Sequence, residues 1–507
     1  MTTATPGGAL GLIDIFQGQR RVAFGLGVLA ALGLPPVGVW GATLAAFALI
    51  FRLAPTEPKP LGLWWFCAGA GYFTACLFWI ISPFLVEAEI YGWMAPFALV
   101  LFCGGMALFW GAAGWAGGWI TRRFGTDPIF GMALTLSLAE LARGFVLTGF
   151  PWGTPGHIWT LSPVGQWAAV IGPNGLTLVS FTLAAAVAIW RRRRIAFAAL
   201  TLGLGYGYGL WVLSVPMPPD RPVMLRLVQP NAEQSAKWDS DQAQVFFDRL
   251  TALSSAQPPV DMVIWPETAL PYTMDGDDRL AKVIAKAGNG AVMAIGRQRI
   301  IETRGWNSLT FLAPDGKIIA EYDKARLVPF GEYLPFGDLA YHWFGLSGFA
   351  ADAGTAYTAG AGPDVIDLGP EIGRLMPLIC YEAIFPQDLR RAEARSGQRA
   401  DWLLQITNDA WFGTLTGPWQ HAAQTRLRAI EQGLPMVRVA NTGVTAIYDA
   451  RGRERASLPF GEAGYLDHAL PGPLPPTPYS RWGEAWALLL LGGLGLGLFV
   501  PRRPPTT

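Results

Sequence analysis

Charge is scarce in this chain. Only 15% of its 507 residues are Asp, Glu, Lys or Arg. A typical soluble domain carries about 25%, so too little charge is present to cover an ordinary wet surface. An excess of one sign is missing as well. The 38 basic residues face 37 acidic ones, which argues against a partner whose phosphates a basic surface would neutralise. Cysteine and histidine are few, four of each. There is no CxxC, no HExxH helix and no GxSxG elbow, and His157, His342, His421 and His468 lie far apart. The chain therefore shows neither metal-ligand spacing nor an organic cofactor signature, and no disulfide framework. Apolar and aromatic side chains are plentiful: 51% of residues are hydrophobic, with 22 Trp, 28 Phe and 13 Tyr. That excludes intrinsic disorder. Length alone allows roughly three domains. The composition places part of the chain in lipid.

A bilayer-crossing helix needs about 20 mostly apolar residues. Such runs lie near 22–36, 38–54, 62–82, 95–119, 127–149, 163–190, 195–215 and 483–500, the first two being separated by Pro35 and Pro36. Short loops rich in Lys and Arg stay on the cytoplasmic side. Arg20 and Arg21 precede the first run, and Arg52 and Lys59 follow the second. Arg122 and Arg123 follow the fourth, Arg191 to Arg194 the sixth, and Arg502 and Arg503 the eighth. The loops 82–95 and 150–162 contain neither Lys nor Arg. This alternation predicts eight spans with both termini in the cytoplasm and the segment 218–475 outside it. A cleaved signal peptide over residues 1–35 fits less well, because no clear small-residue cleavage site is present and further spans follow at once. Inside the fifth span, Glu140 and Arg143 are spaced i,i+3. Charges in lipid are costly and usually paired, so a structural ion pair is the favoured reading over a headgroup contact.

The segment 218–475 alternates strand-like and helical stretches. VMLRLVQPN (223–231), DMVIWPET (261–268) and AVMAIGRQ (291–298) read as strands, with helices around 241–256 and 277–288. SLTFLAPDGKIIAEYDK (308–324) reads as a hairpin turning at APDG. RLMPLICYE (374–382), WLLQITND (402–409) and MVRVANTGVTAIYDARGR (436–453) continue the strands, with a helix at 418–432. This order predicts an α/β domain, whose ligand sites gather at strand ends.

Three strand ends carry chemistry. WPET sets Glu267 after a buried run, YDKARLVPFGEY sets Lys324 and Glu332 around a turn, and LICYEAIFP sets Cys380 after an apolar strand. Cys67, Cys76 and Cys103 fall within predicted spans, so Cys380 is the lone thiol of the outer domain. A nucleophile, a base and a cation are what acyl transfer through a thioester requires. Taken singly, each residue also fits a packed or solvated strand end.

Together, WPET, YDKxxLVPFGEY and CYE, in this order, resemble the Glu–Lys–Cys triad of the nitrilase superfamily of carbon–nitrogen hydrolases. Combined with seven spans before the domain, one after it and GFPWG (149–153), the pattern is similar to the bacterial apolipoprotein N-acyltransferase family. The resemblance implies a polytopic membrane protein: an eight-helix transmembrane bundle carrying a nitrilase-like α-β-β-α sandwich. It implies spans 1–7 over 1–217, a periplasmic catalytic domain over 218–475, and an eighth span with a cytoplasmic tail over 476–507, in the bacterial inner membrane. It further implies Glu267 as general base, Lys324 as oxyanion stabiliser and Cys380 as nucleophile. Glu332, Tyr381 and Glu382 match supporting positions. Trp238, in AKWD, and Asn307, in GWNSL, match positions assigned to substrate binding. The implied reaction uses no cofactor. It moves the sn-1 acyl chain of a phospholipid donor, phosphatidylethanolamine, through a Cys380 thioester to the diacylglyceryl apolipoprotein acceptor. The segment 333–350, with Tyr333, Leu334, Phe336, Trp343, Phe344, Leu346 and Phe349, is apolar for a loop. It reads either as a lipid-contacting arm or as packing onto the domain.

Two rival readings differ in class. A membrane-tethered amidase would use water as acceptor and release fatty acid steadily from phospholipid. A transporter or scaffold would keep its function in Cys380→Ala. For the topology, a membrane-impermeant thiol reagent is expected to reach Cys380 from the outer side. Labelling from the cytoplasmic side alone would overturn the eight-span layout.

Overall fold

The computed structural model describes residues 7–234, 240–274, 278–302, 304–333 and 357–499. The chain divides into two units, Met1–Ser214 with Glu484–Thr507, and Val215–Gly483.

The first unit is helical. Its helices are α1 (Gly7–Ala30), α2 (Trp40–Leu53), α3 (Pro58–Leu77), α4 (Ala95–Phe124), α5 (Pro128–Arg143), α6 (Ala168–Ala188) and α7 (Arg192–Ser214), with a closing helix Ala485–Phe499. A helix stands at each place where the sequence predicts a span. Among the described residues, four stretches are long and apolar enough to cross a membrane: Pro58–Val86, Ala88–Phe124, Pro163–Ala188 and Arg192–Ser214. Trp40–Leu53 and Ala485–Leu496 are apolar but shorter. The span expected at 127–149 is a helix only as far as Arg143, with turns beyond it. Local chemistry sets several ends. Pro58 and Pro128 occupy first-turn positions, where a missing N–H costs nothing. Asp127 caps α5 by accepting from the Ile129 and Phe130 amides at 3.1 and 3.3 Å. Gly125 closes α4 in the left-handed region at φ 65°.

Small residues let α1 and α3 touch backbone to backbone. A Cβ on Gly27 would lie 2.0 Å from the Ala68 carbonyl oxygen, and one on Gly71 would lie 2.0 Å from that of Phe24. Between apolar helices in lipid, close approach of this kind supplies the packing that the hydrophobic effect does not. One fully buried ion pair interrupts the apolar interior. Arg143 Nη2 lies 2.6 Å from Glu140 Oε2, and Trp110 Nε1 donates to Glu140 Oε1 at 2.7 Å. The same guanidinium donates to the carbonyls of Phe150 and Trp152. The pair thus ties α5 to α4 and to the GFPWG turn, the structural role that its spacing predicts.

The second unit is a sandwich of two six-stranded sheets. The first has the order β12-β1-β2-β3-β4-β5 and the second β11-β10-β9-β8-β7-β6. The strands of the first are β1 (Met224–Gln229), β2 (Met262–Ile264), β3 (Val292–Ile301), β4 (Arg304–Leu312), β5 (Ile318–Asp323) and β12 (Gly464–Ala469). The second holds β6 (Ile366–Asp367), β7 (Arg374–Ile379), β8 (Trp402–Thr407), β9 (Met436–Ala440), β10 (Ala446–Tyr448) and β11 (Glu454–Ser457). In each sheet three neighbouring strands run parallel, β1–β2–β3 and β7–β8–β9, and antiparallel strands flank them. The parallel strands read as continuous apolar runs because both their faces are covered.

Three cores show the layering. One joins the sheets, bringing Leu225, Ile264, Leu309 and Phe311 together with Leu375, Ile379, Leu404 and Val439. A second packs the first sheet on α8 (Ser240–Ser254) and α9 (Asp278–Ala287), through Phe247, Leu250, Ala281 and Ile284. A third packs the second sheet on α10 (Pro386–Ser396) and α11 (Gly417–Gln432), through Leu389, Ala392, Ala422 and Ala429. The order is α-β-β-α, as the family resemblance implies.

Replacing Arg143 alone by Met leaves the Glu140 carboxylate buried without its cation, and is expected to cost about 3–5 kcal/mol. Arg143→Met combined with Glu140→Gln removes the net charge and should cost less. Thermal unfolding in detergent checks this. A double variant no more stable than the single one would show that stranded charge is not what the pair prevents.

Candidate active site

Glu267 follows β2 through a turn that crosses the neighbouring strand β3. The turn is pinned by Trp265 N–H on the Ala294 carbonyl at 2.8 Å and by Leu270 N–H on that of Gly296 at 3.2 Å. Gly296 is required here. A Cβ at that position would lie 2.1 Å from the Pro266 carbonyl oxygen and 2.8 Å from Glu267 Cα.

Lys324 ends the hairpin strand β5, and its side chain is 1% exposed. The ammonium meets Glu332 Oε1 at 2.8 Å and Glu267 Oε1 at 3.3 Å. Asn307, on β4, sends its amide hydrogens to the same two carboxylates, at 2.7 Å for Glu267 and 3.2 Å for Glu332. The second oxygen of Glu267 accepts from the Asn408 backbone amide at 2.8 Å, and that of Glu332 accepts from Val328 N–H at 2.9 Å. Burial acts to lower the Lys324 pKa, but the Glu332 and Glu267 carboxylates outweigh it and hold the group well above an ordinary lysine. The cation is permanent.

Cys380 follows β7 and opens a short 3-10 turn, Cys380–Ile384. Its φ of 52° lies in the left-handed region, unusual for any residue but glycine. Burial raises the thiol pKa, the Glu267 carboxylate raises it further, and Lys324 lowers it, with a net rise. The resting group is therefore a thiol, which becomes a strong nucleophile only when a base takes its proton. Glu382, two residues on, binds the two loops together. Its Oε1 accepts from the Tyr322 hydroxyl at 2.9 Å and from the amides of Ala325 and Arg326 at 2.8 and 3.1 Å. Its Oε2 accepts from Ile379 N–H at 2.8 Å. Burial pushes this carboxyl up to about 7, against the pull of these donors and of Lys324. Tyr381 is buried with its ring centroid 4.9 Å from that of Phe385, and burial pushes its phenol up.

The structure thus brings Glu267, Lys324, Glu332 and Asn307 into one hydrogen-bonded cluster, and couples Cys380 to it electrostatically. Trp238, together with the segment 334–356 that holds most of the apolar loop, lies outside the described residues. Among the described residues, no three His, Cys, Asp or Glu side chains are grouped as a metal ion would need. Several participants escape the reading by motif. Arg326 forms a two-point ion pair with Asp388 at 2.6 and 2.9 Å, fixing the loop after Lys324 to α10. Asn408 and Asp409 end β8, and His421 and Arg438 lie beneath the cysteine turn. The available signal was Arg438 in the apolar run MVRVA, since a charge in a buried strand demands a buried partner.

Two family models match the chain. Residues 225–472 match the carbon–nitrogen hydrolase family, and residues 26–187 match the apolipoprotein N-acyltransferase N-terminal domain. A curated apolipoprotein N-acyltransferase of Rhodopseudomonas palustris is 36% identical over 97% of both chains. The chain belongs to the apolipoprotein N-acyltransferase family. Its relative in Caulobacter vibrioides is 38% identical over 92% of each chain. Among solved structures, a carbon–nitrogen hydrolase superfamily protein of Xanthomonas campestris has a TM-score of 0.36 at 22% identity, covering 49% of this chain and 90% of that one. An amidase of Nesterenkonia has a TM-score of 0.38 at 17% identity, covering 53% and 96%.

Gly296→Ala is expected to displace the Glu267 turn and to lower the family's acyl transfer by about 100-fold, the scale of a 1 Å misplacement. Gly464, on β12, has its nearest neighbour at 3.8 Å and serves as the control. Unchanged transfer in Gly296→Ala would show that the turn tolerates the shift.

Proposed function

We propose that this chain is a phospholipid:apolipoprotein N-acyltransferase working by a ping-pong mechanism with Glu267, Lys324 and Cys380. The observation that carries the reading is the buried ammonium of Lys324 shared between Glu267 and Glu332 and felt by the Cys380 thiol. Cation, base and nucleophile are the three groups that thioester chemistry needs.

In the first half-reaction, Glu267 takes the thiol proton as Cys380 Sγ attacks the sn-1 ester carbonyl of a phospholipid, phosphatidylethanolamine by preference. The tetrahedral oxyanion is held by the Lys324 ammonium. The ester C–O bond breaks, and the proton returns to the departing alkoxide, giving a lysophospholipid and an acyl thioester. The α-amine of a diacylglyceryl-cysteine then attacks the thioester carbonyl. Its C–S bond breaks, Glu267 relays the amine proton to the sulfur, and the product is an amide on the apolipoprotein N-terminus. Glu332 and Asn307 hold the base and cation in register, while Tyr381 and Glu382 support the nucleophile turn. Trp238 is the position we assign to substrate contact.

Both substrates are lipids. Withdrawing an acyl chain into water costs about 0.8 kcal/mol per CH₂, which a membrane-embedded enzyme avoids in large part. We assign spans 1–7 to residues 1–217, the catalytic domain to 218–475 and the last span with its tail to 476–507. In this layout both termini are cytoplasmic and the catalytic domain is periplasmic, in the inner membrane. The supporting pattern is the alternation of basic and uncharged loops, from Arg20 and Arg21 through Arg191 to Arg194.

Intact mass after incubation with phosphatidylethanolamine is expected to show one added acyl group, absent from Cys380→Ala. Steady fatty-acid release without acceptor would favour the hydrolase instead. Full transfer with no adduct at any time would sink the thioester.

A further inference from the structure

A second polar cluster lies behind the cysteine turn and takes no part in the steps above. Gln405, Thr407, Asp409, His421, Thr425 and Arg438 are each at most 1% exposed. Arg438 grips Asp409 with two bonds of 2.9 Å, so the two charges neutralise each other. The imidazole of His421 spans the space between this pair and Cys380. Its Nδ1 lies 3.2 Å from Asp409 Oδ1 and 3.1 Å from Arg438 Nη2. Its Nε2 lies 3.1 Å from the Cys380 carbonyl oxygen and 3.0 Å from Gln405 Nε2. Gln405 Nε2 also donates to the Cys380 carbonyl at 3.0 Å, and its own oxygen is fixed by the Thr425 hydroxyl at 2.7 Å. Burial holds the His421 pKa below that of an ordinary histidine, so the ring is neutral.

We propose that His421 is a positioning residue for Cys380, acting through its Nε2 edge on the Cys380 carbonyl. The left-handed φ of Cys380 is unfavourable for a side chain with a Cβ and persists only where its surroundings over-determine it. The carbonyl is the handle. A trans peptide is planar, so fixing C=O also fixes the rotation of the following amide and the aim of the thiol above it. Either tautomer serves. A proton on Nε2 is donated to the carbonyl, whereas a bare Nε2 accepts one Gln405 hydrogen and keeps the other on the carbonyl. Asp409 and Arg438 hold the far edge of the ring. The neighbouring Asn408 amide meanwhile holds Glu267 at 2.8 Å. One segment, Thr407–Asp409, therefore sets both the base and the support of the nucleophile. The inference rests on reading Cys380 as the nucleophile.

Two substitutions separate the two edges of the ring. In His421→Gln the amide reaches the Nε2 position and keeps the contact toward Cys380. In His421→Asn it stays near the Nδ1 position, beside Asp409 and Arg438. The full chain in phospholipid nanodiscs would be followed by acyl-adduct formation, by KM and kcat for transfer, by melting temperature, and by iodoacetamide alkylation of the Cys380 peptide. His421→Asn is expected to lose about 100-fold in acylation rate and kcat, with KM for phospholipid unchanged. His421→Gln should keep most of both, and the two should melt alike. The reverse ranking, a His421→Asn enzyme as fast as the parent, or equal losses that follow a lowered melting temperature would each overturn the proposal. If the parent forms no adduct, the nucleophile reading fails. The alkylation rates then still decide the positioning role, because slower alkylation in Asn but not Gln supports it and equal rates refute it.

Discussion

A lysine ammonium with 1% of its side chain exposed stays charged only if its surroundings replace the water it has lost. At Lys324 that replacement is two carboxylates, Glu267 and Glu332, held apart by the amide of Asn307. Two buried carboxylates side by side repel each other. The cation and the bridging amide remove that pressure. Two carboxylates against one ammonium leave a net negative charge, which the amide donors of Asn307, Asn408 and Val328 help to offset, so the cluster is collectively determined in a way no single contact suggests. The loops around it take their course from the same demand. Glu332 reaches inward from a turn where its Oε2 is met by Val328 N–H, and Glu267 is presented by a turn laid against the bare backbone of Gly296.

That electrostatic centre also acts on the Cys380 thiol. A thiolate beside Lys324 alone would be favoured, yet burial and the Glu267 carboxylate together outweigh the cation. In the mechanism we propose, the carboxylate that discourages ionisation is also the acceptor for the proton, so ionisation is coupled to attack and does not precede it. A thiol kept protonated in this way resists alkylation and oxidation, which proceed through the thiolate.

Sequence pattern revealed the parts of this arrangement that local chemistry controls. Apolar runs ending in WPE and CYE identify β2 and β7 and the residues just beyond them, because a buried parallel strand must be apolar and its end is where polar groups can emerge. The APDG turn marks the antiparallel strand β5 that leads to Lys324. The edge strands β11 and β12 were not visible. Glu454–Ser457 and Gly464–Ala469 are short and half-exposed, and carry no apolar signature. Helix α10 was hidden for a related reason: PQDLRRAEARS is mostly polar or charged, with Leu389 and Ala392 its main buried apolar contacts. The support beneath the cysteine was hidden more deeply. His421 lies 41 residues from Cys380 and 17 from Arg438, and nothing local in either residue names its partner. Only the oddity of an arginine in a buried strand pointed there.

The site draws its members from both sheets, which decides how its precision is maintained. Glu267, Asn307 and Lys324 belong to the first sheet and its turns, whereas Cys380, Glu382 and Asn408 belong to the second. The bonds that join them cross the sandwich: Asn408 N–H to Glu267, and Tyr322, Ala325 and Arg326 to Glu382. The spacing of Glu267 and Cys380 is therefore fixed by how the two sheets pack, through Ile264 and Phe311 against Ile379 and Leu404. A close-packed interior resists small displacements far better than a surface loop does. A change in that inter-sheet core, remote from any substrate, should consequently disturb chemistry before it disturbs binding.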